Sequence, residues 1–160
     1  MKLSELDQLK NSLPATDKMP VLFLGHGSPM NAIEDNEYVK GFKAAAAKLQ
    51  KPKAVLCVSA HWYTRGTMVT AMKDPKTIYD FGGFHPKYYN MQYNSPGAPE
   101  LAAKVKGLMG EPVHEQSNRG LDHGAWVPLK IMYPEAQIPV LQMSIPTFDP
   151  EKLFEIGKKL

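Results

Sequence analysis

Ala54-Val55-Leu56-Cys57-Val58-Ser59 is a continuous apolar run, and Ala60-His61-Trp62 follows it at once. A run of this kind predicts a strand buried on both faces of a parallel sheet. In open α/β sheets, ligands bind at the carboxyl ends of the strands. His61 therefore stands where a ligand-binding residue is expected.

Segments on both sides of this run alternate between strand and helix patterns. Short apolar runs predict further strands at residues 21–24, 67–72, 112–115 and 138–143. Helical spacing and helix-start residues predict helices at residues 35–49, 99–109 and 125–132, another from Asp149-Pro150 onward, and a short one between Leu3 and Leu13. The alternation predicts an α/β fold with a mostly parallel central sheet flanked by helices.

The composition bounds the class of protein. The chain has 160 residues, of which 43% are hydrophobic and 22% charged, with a net charge of +3, so one domain with a core is expected. The lysines are scattered among acids, which argues against a nucleic-acid partner. No apolar run reaches the roughly 18 residues of a membrane span, and the first residues lack a signal-peptide pattern, so we expect a cytoplasmic protein.

A second histidine follows the first predicted strand, within Leu24-Gly25-His26-Gly27-Ser28-Pro29. If the two strands are neighbours, His26 and His61 project into one crevice, and neutral imidazole binds first-row transition metals. The alternative is that both are ordinary hydrogen-bonded loop residues. A dinucleotide site is disfavoured because Pro29-Met30 replaces the third glycine of that fingerprint.

A third histidine lies in Leu121-Asp122-His123-Gly124, just before a predicted helix. Asp122 and His123 form either a ligand pair or an acid–base site, whereas the structural alternative is that Asp122 caps the helix. His85 falls in a long aromatic loop at residues 75–96 and His114 in a strand, and neither pattern indicates a role. The single cysteine, Cys57, is expected to be a core residue and excludes an internal disulfide.

Four motifs together resemble the class III, LigB-like extradiol ring-opening dioxygenases of the DOPA type. They occur in the order Phe23-Leu24-Gly25-His26-Gly27-Ser28-Pro29-Met30, Ser59-Ala60-His61-Trp62, Asp80-Phe81-Gly82-Gly83-Phe84 and Leu121-Asp122-His123-Gly124-Ala125-Trp126. The resemblance implies that His26 and His61 are metal ligands and that His123 is a catalytic acid–base residue. It also implies a substrate pocket formed by Trp62, Phe81, Gly82, Gly83 and Asp122.

The resemblance further implies a mononuclear non-haem metal site that opens a catechol, such as 3,4-dihydroxyphenylalanine, next to its diol with O2. Iron(II) is the metal expected for turnover, and zinc(II) can occupy the same histidines. Residues 1–18 are expected to form a helix and linker, and residues 19–160 the N-terminal portion of a single catalytic domain. Asp149-Pro150 opens a predicted helix that the chain end cuts off. The family resembled continues beyond this point with further metal-binding histidines, so we expect the fold to be C-terminally incomplete. Two alternatives stay open: a non-catalytic metal-binding or interaction module, and a metal-dependent hydrolase.

Overall fold

The computed structural model describes residues 19–160, so the helix expected at Leu3–Leu13 lies outside the described residues. These residues form four strands and four helices. The strands are β1 (Val55–Tyr63), β2 (Thr67–Thr70), β3 (Val113–Gln116) and β4 (Val140–Ile145). The helices are α1 (Glu37–Ala47), α2 (Pro99–Met109), α3 (His123–Met132) and α4 (Pro150–Lys159), with two 3-10 turns at Pro29–Ala32 and Pro86–Asn90.

The four strands form one mixed sheet in the order β1-β4-β2-β3. β1 pairs with β4 in parallel, β2 pairs with β3 in parallel, and β2 meets β4 antiparallel. This arrangement confirms the predicted α/β fold with a mostly parallel sheet. Within residues 19–160 no helix is long and apolar enough to cross a membrane.

The predicted strand at residues 21–24 is wrong, because this segment has no strand pairing within residues 19–160. Val21 and Phe23 are 98% and 102% exposed, although Leu24 packs against the core. A strand requires a partner for its backbone N–H and C=O groups, and an apolar run alone does not supply one. His26 therefore follows an extended, unpaired segment.

The strand that carries His61 is also less buried than expected. β1 lies at one edge of the sheet, and Leu56 and Val58 on it are 38% and 51% exposed. Burial on both faces is therefore a wrong prediction for this strand, since the face that carries Leu56 and Val58 is only partly covered within residues 19–160. β1 nevertheless pairs with β4, and it contacts α3, the helix that begins at His123.

Helix boundaries follow their local sequence signals closely. α2 spans Pro99–Met109 as predicted, with proline in its first turn and Gly110 in the left-handed conformation after its end (φ 63°). α4 begins after Asp149, whose side chain accepts hydrogen bonds from the N–H groups of Glu151 and Lys152. α3 begins two residues earlier than predicted, at His123.

Two apolar layers cover the two faces of the sheet. Successive residues of β4 point to opposite faces, so Val140 joins one layer and Leu141 the other. The first layer contains α1, α3 and the aromatic loop, and Trp126 of α3 is fully buried in it. The second contains α2 with β2 and β3. The first layer fixes the helix whose N-terminus carries His123.

Candidate metal centre

Three histidines converge at one place in the fold. His26, His61 and His123 each offer a ring nitrogen, and these nitrogens all lie within 4.8 Å of one another. The Nε2 atoms of His26 and His61 are 2.8 Å apart. The ring centroids of His61 and His123 are 4.0 Å apart, and His26 lies 5.0 Å from each of the other two. The structure thus brings together all three histidines that the motifs singled out.

His26 is placed by the turn that follows it. Gly27 has a φ of 65°, a conformation that a residue with a Cβ adopts only at a cost. The Asn31 side chain donates a hydrogen bond to the His26 carbonyl over 3.1 Å, and the Ser28 hydroxyl accepts from the Met30 N–H over 3.2 Å. The backbone conformation therefore requires a glycine at position 27, the second glycine of the Gly-His-Gly pattern.

His61 is placed by the end of β1 and by the start of α3. Its N–H donates to the Ser59 hydroxyl over 3.2 Å, and that hydroxyl donates to Asp122 over 2.7 Å. The β1–β4 register shifts between Val58 and Tyr63, which interrupts the regular ladder beside the histidine. Gly124 allows the close packing, because a Cβ there would lie 2.6 Å from Cδ2 of His61.

His123 is placed by Asp80, which lies in the loop between β2 and α2. One carboxylate oxygen of Asp80 accepts from the His123 backbone N–H over 2.9 Å and pairs with the ring Nδ1 over 2.9 Å. Burial alone would raise the pKa of Asp80, but these hydrogen bonds and the attraction to His123 outweigh it and lower the pKa below its ordinary value. Asp80 belongs to the third motif, but its role could not be predicted from the sequence because its partner is 43 residues away.

Asp122 caps α3, as the structural alternative for this residue stated. Its side chain accepts from the Ala125 N–H, is fully buried, and also accepts hydrogen bonds from Arg119 and Gln142. A side chain with no exposed surface cannot line a pocket by contact in this conformation. Asp122 instead supports the centre through Ser59, which holds the backbone of His61.

Of the other expected pocket residues, Phe81 packs directly against the histidine cluster. Its ring packs edge-on against His123 with the centroids 5.5 Å apart, and it contacts Phe84, Tyr89 and Trp126. Gly82 and Gly83 follow it in a turn where a Cβ would meet open space. Trp62 is 6% exposed and packs under the Arg119 guanidinium at 4.4 Å.

The remaining histidines and the cysteine lie outside the cluster, as expected. His85 accepts a hydrogen bond from the Lys87 N–H at the start of a 3-10 turn, and His114 is exposed on β3. The Cys57 thiol packs against the first apolar layer, and burial, with the nearby Asp122 charge, raises its pKa to about 12. A thiol in this state is a poor nucleophile and a poor metal ligand.

His26 and His61 fit a divalent transition metal. Burial lowers the pKa of His26 below its ordinary value of 6.5, and the positive forms of His123 and His61 oppose its protonation further. Two nitrogens about 2.1 Å from one metal and at right angles are about 3 Å apart. The observed 2.8 Å between the Nε2 atoms of His26 and His61 is close to that separation.

Residues 20–160 match the family model described as "Catalytic LigB subunit of aromatic ring-opening dioxygenase". The chain belongs to the LigB family. Among the solved structures, an uncharacterized protein, JW3007, from Escherichia coli K12 shares 44% identity and a TM-score of 0.72, over 89% of this chain and 54% of that one. This match confirms the LigB-like fold.

Two curated relatives of this LigB-family chain carry the same name. Proteins named "4,5-DOPA dioxygenase extradiol" from Escherichia coli (strain K12) and Beta vulgaris are 46% and 43% identical to it, over 95% and 86% of the chain. The matches cover 57% and 54% of those two proteins, so the LigB-family chain spans a little more than half of their length.

Proposed function

We propose that this LigB-family chain serves an extradiol dioxygenase that opens a catechol, such as 3,4-dihydroxyphenylalanine, next to its diol. The observation that carries the proposal is the convergence of His26, His61 and His123 within 4.8 Å, beside the ring of Phe81. The relatives named for the same activity support it. The reaction breaks one ring carbon–carbon bond and adds both atoms of O2 to the product, which is a semialdehyde.

In this proposal His26 and His61 hold the metal, and iron(II) is the ion expected for turnover. Held by these two histidines, such a metal would supply Lewis-acid and redox chemistry for the diol and O2. Zinc(II) accepts the same imidazoles, so it is expected to bind without supporting oxygen chemistry.

His123 is the proposed acid–base residue. Its ring Nδ1 pairs with Asp80, so Nε2 is the ring nitrogen left for a diol proton. Phe81 packs against His123 and gives the site an aromatic wall suited to a flat ring, with Gly82 and Gly83 beside it. We propose that Trp62 shapes the pocket from the β1 side and that Asp122 supports the site through its hydrogen bond with Ser59.

Iron loading tests the proposal. The chain is loaded with iron(II) without oxygen, and 3,4-dihydroxyphenylalanine and O2 are then added while absorbance and oxygen uptake are followed. We expect a yellow semialdehyde and matching oxygen uptake. His123→Ala is expected to retain the metal and to slow turnover by about 100-fold or more, the range of general acid–base contributions. Metal loading without oxygen uptake in the unaltered chain would overturn the assignment of catalysis to this chain.

A second function is a metal-binding module of the same fold that does not turn over substrate. The observation that favours it is the pair His26 and His61, whose Nε2 atoms lie 2.8 Å apart and could hold a metal without an acid–base residue. The same experiment separates the two functions, because the module binds one metal through His26 and His61 and consumes no oxygen.

A further inference from the structure

We propose that Asp80 is a positioning residue that holds His123 in the tautomer protonated on Nδ1, leaving the lone pair on Nε2. The inference deepens the proposed function and rests on it, since it assigns the chemical form in which His123 takes a proton.

The geometry at Asp80 defines the tautomer. One oxygen of its carboxylate lies 2.9 Å from the His123 backbone nitrogen and 2.9 Å from Nδ1. An ionised carboxylate has only acceptors, so the hydrogen between it and the ring belongs to Nδ1. The hydrogen bond made by one ring nitrogen determines which nitrogen carries the hydrogen in a neutral imidazole.

A capping role does not account for both contacts. α3 already has an N-cap in Asp122, whose side chain accepts from the Ala125 N–H. The contact of Asp80 with the His123 backbone anchors the carboxylate, and the contact with Nδ1 is additional. Because both hydrogen bonds end on the same oxygen, the ring is tied to the first turn of its own helix.

The backbone around Asp80 is fixed to the segment that precedes His123. The Ile78 N–H donates to the Leu121 carbonyl over 2.8 Å, and the Leu121 N–H donates to the Lys76 carbonyl over 2.8 Å. Two backbone hydrogen bonds therefore join the loop that carries Asp80 to the segment that directly precedes His123. The Asp80 side chain is 26% exposed, so most of its surface is covered by the protein.

Histidine nitrogen NMR on the metal-free chain tests the proposal. Spectra recorded at about pH 8.5, well above the usual histidine pKa of about 6.5, distinguish protonated from unprotonated ring nitrogens. His123 is assigned by the signals lost in His123→Gln. We expect the unaltered chain to show hydrogen on Nδ1, and Asp80→Ala to change the tautomer ratio about tenfold or more towards Nε2, as the loss of a charge-assisted hydrogen bond implies.

A conservative variant and a control variant complete the test. Asp80→Asn retains an oxygen that can accept from the His123 backbone N–H, and its tautomer ratio is expected to lie between those of the unaltered chain and Asp80→Ala. Asp74→Ala is the matched control, since Asp74 is exposed in the same loop and makes no side-chain hydrogen bond within residues 19–160; its ratio should equal that of the unaltered chain.

An unaltered chain with hydrogen on Nε2, or an unchanged ratio in Asp80→Asn and Asp80→Ala, would overturn the proposal. If Asp80→Ala loses its circular dichroism signal, Asp80→Asn alone decides. Because the measurement needs neither metal nor turnover, a failure of the proposed dioxygenase activity leaves the tautomer result intact and is recognised separately.

Discussion

Gly124→Ala should damage the histidine centre without adding any polar group. A Cβ at this position would lie 2.6 Å from Cδ2 of His61 and 2.7 Å from the Ser59 hydroxyl. Ordinary contacts of this kind are about 3.5 Å or longer, so the His61 ring or the start of α3 must move by about 1 Å. Sites hold their ligands to within about 0.5 Å, and we therefore expect the metal Kd to rise about 10- to 100-fold.

The stability of this variant follows from two opposing effects. Overpacking costs about 1–3 kcal/mol, whereas alanine gains about 1 kcal/mol over glycine inside a helix. Gly107→Ala is the matched control, because Gly107 is an exposed glycine of α2 with nothing within 4 Å of its Cβ position. The control should gain the helix contribution alone and bind metal as the unaltered chain does.

The assay is titration with zinc(II) against a competing chelator, together with thermal unfolding of both variants. Gly124→Ala should show weaker metal binding and a lower Tm than Gly107→Ala. Equal metal affinity and equal Tm in the two variants would refute the packing argument, since the same chemical change would then have the same effect at a crowded and at an open site.

Three further predictions concern single positions. His61→Ala should abolish stoichiometric metal binding, measured by elemental analysis after dialysis. His114→Ala is the control, because His114 is exposed on β3, and it should leave metal binding unchanged. Retention of metal in His61→Ala would contradict the site. Gly27→Ala forces a residue with a Cβ to a φ of 65°. It should therefore lower the free energy of unfolding, measured by urea denaturation, by about 1–2 kcal/mol. An unchanged free energy of unfolding would mean that the turn relaxes freely. Cys57, with its pKa raised to about 12, should react with a thiol reagent at pH 8 more than about 100-fold more slowly in the folded chain than in denaturant, and the rate should rise with pH because the thiolate is the reactive form. Equal rates in both states would show that the thiol is accessible and its pKa ordinary.

Local sequence signals predicted the helices well. The ends of α2 could be predicted because Pro99 and Gly110 act through their own backbone conformation. Asp149 marks the start of α4 through its own side chain. The predicted strand at residues 21–24 failed because a strand depends on a partner that can be distant in sequence. The exposure of Leu56 and Val58 has the same cause, since the sequence of β1 does not reveal that it lies at a sheet edge.

The three histidines could be identified from the sequence, but their supports could not. Gly-His-Gly and the histidine after an apolar run are recognisable because loop and strand ends are local features. The pairing of Asp80 with His123 spans 43 residues, and that of Ser59 with Asp122 spans 63. Such pairings depend on how loops meet across the fold, which the spacing of residues along one chain does not specify.

The proposed function requires the histidine centre of this chain to support the addition of both atoms of O2 to a catechol. It is tested by mass spectrometry of the product formed under 18O2 by the iron(II)-loaded chain with 3,4-dihydroxyphenylalanine. We expect a ring-opened product that carries two labelled oxygens, and no such product from His26→Ala or His61→Ala. A product without label from O2, or none above the level of these two variants, would contradict the proposed function.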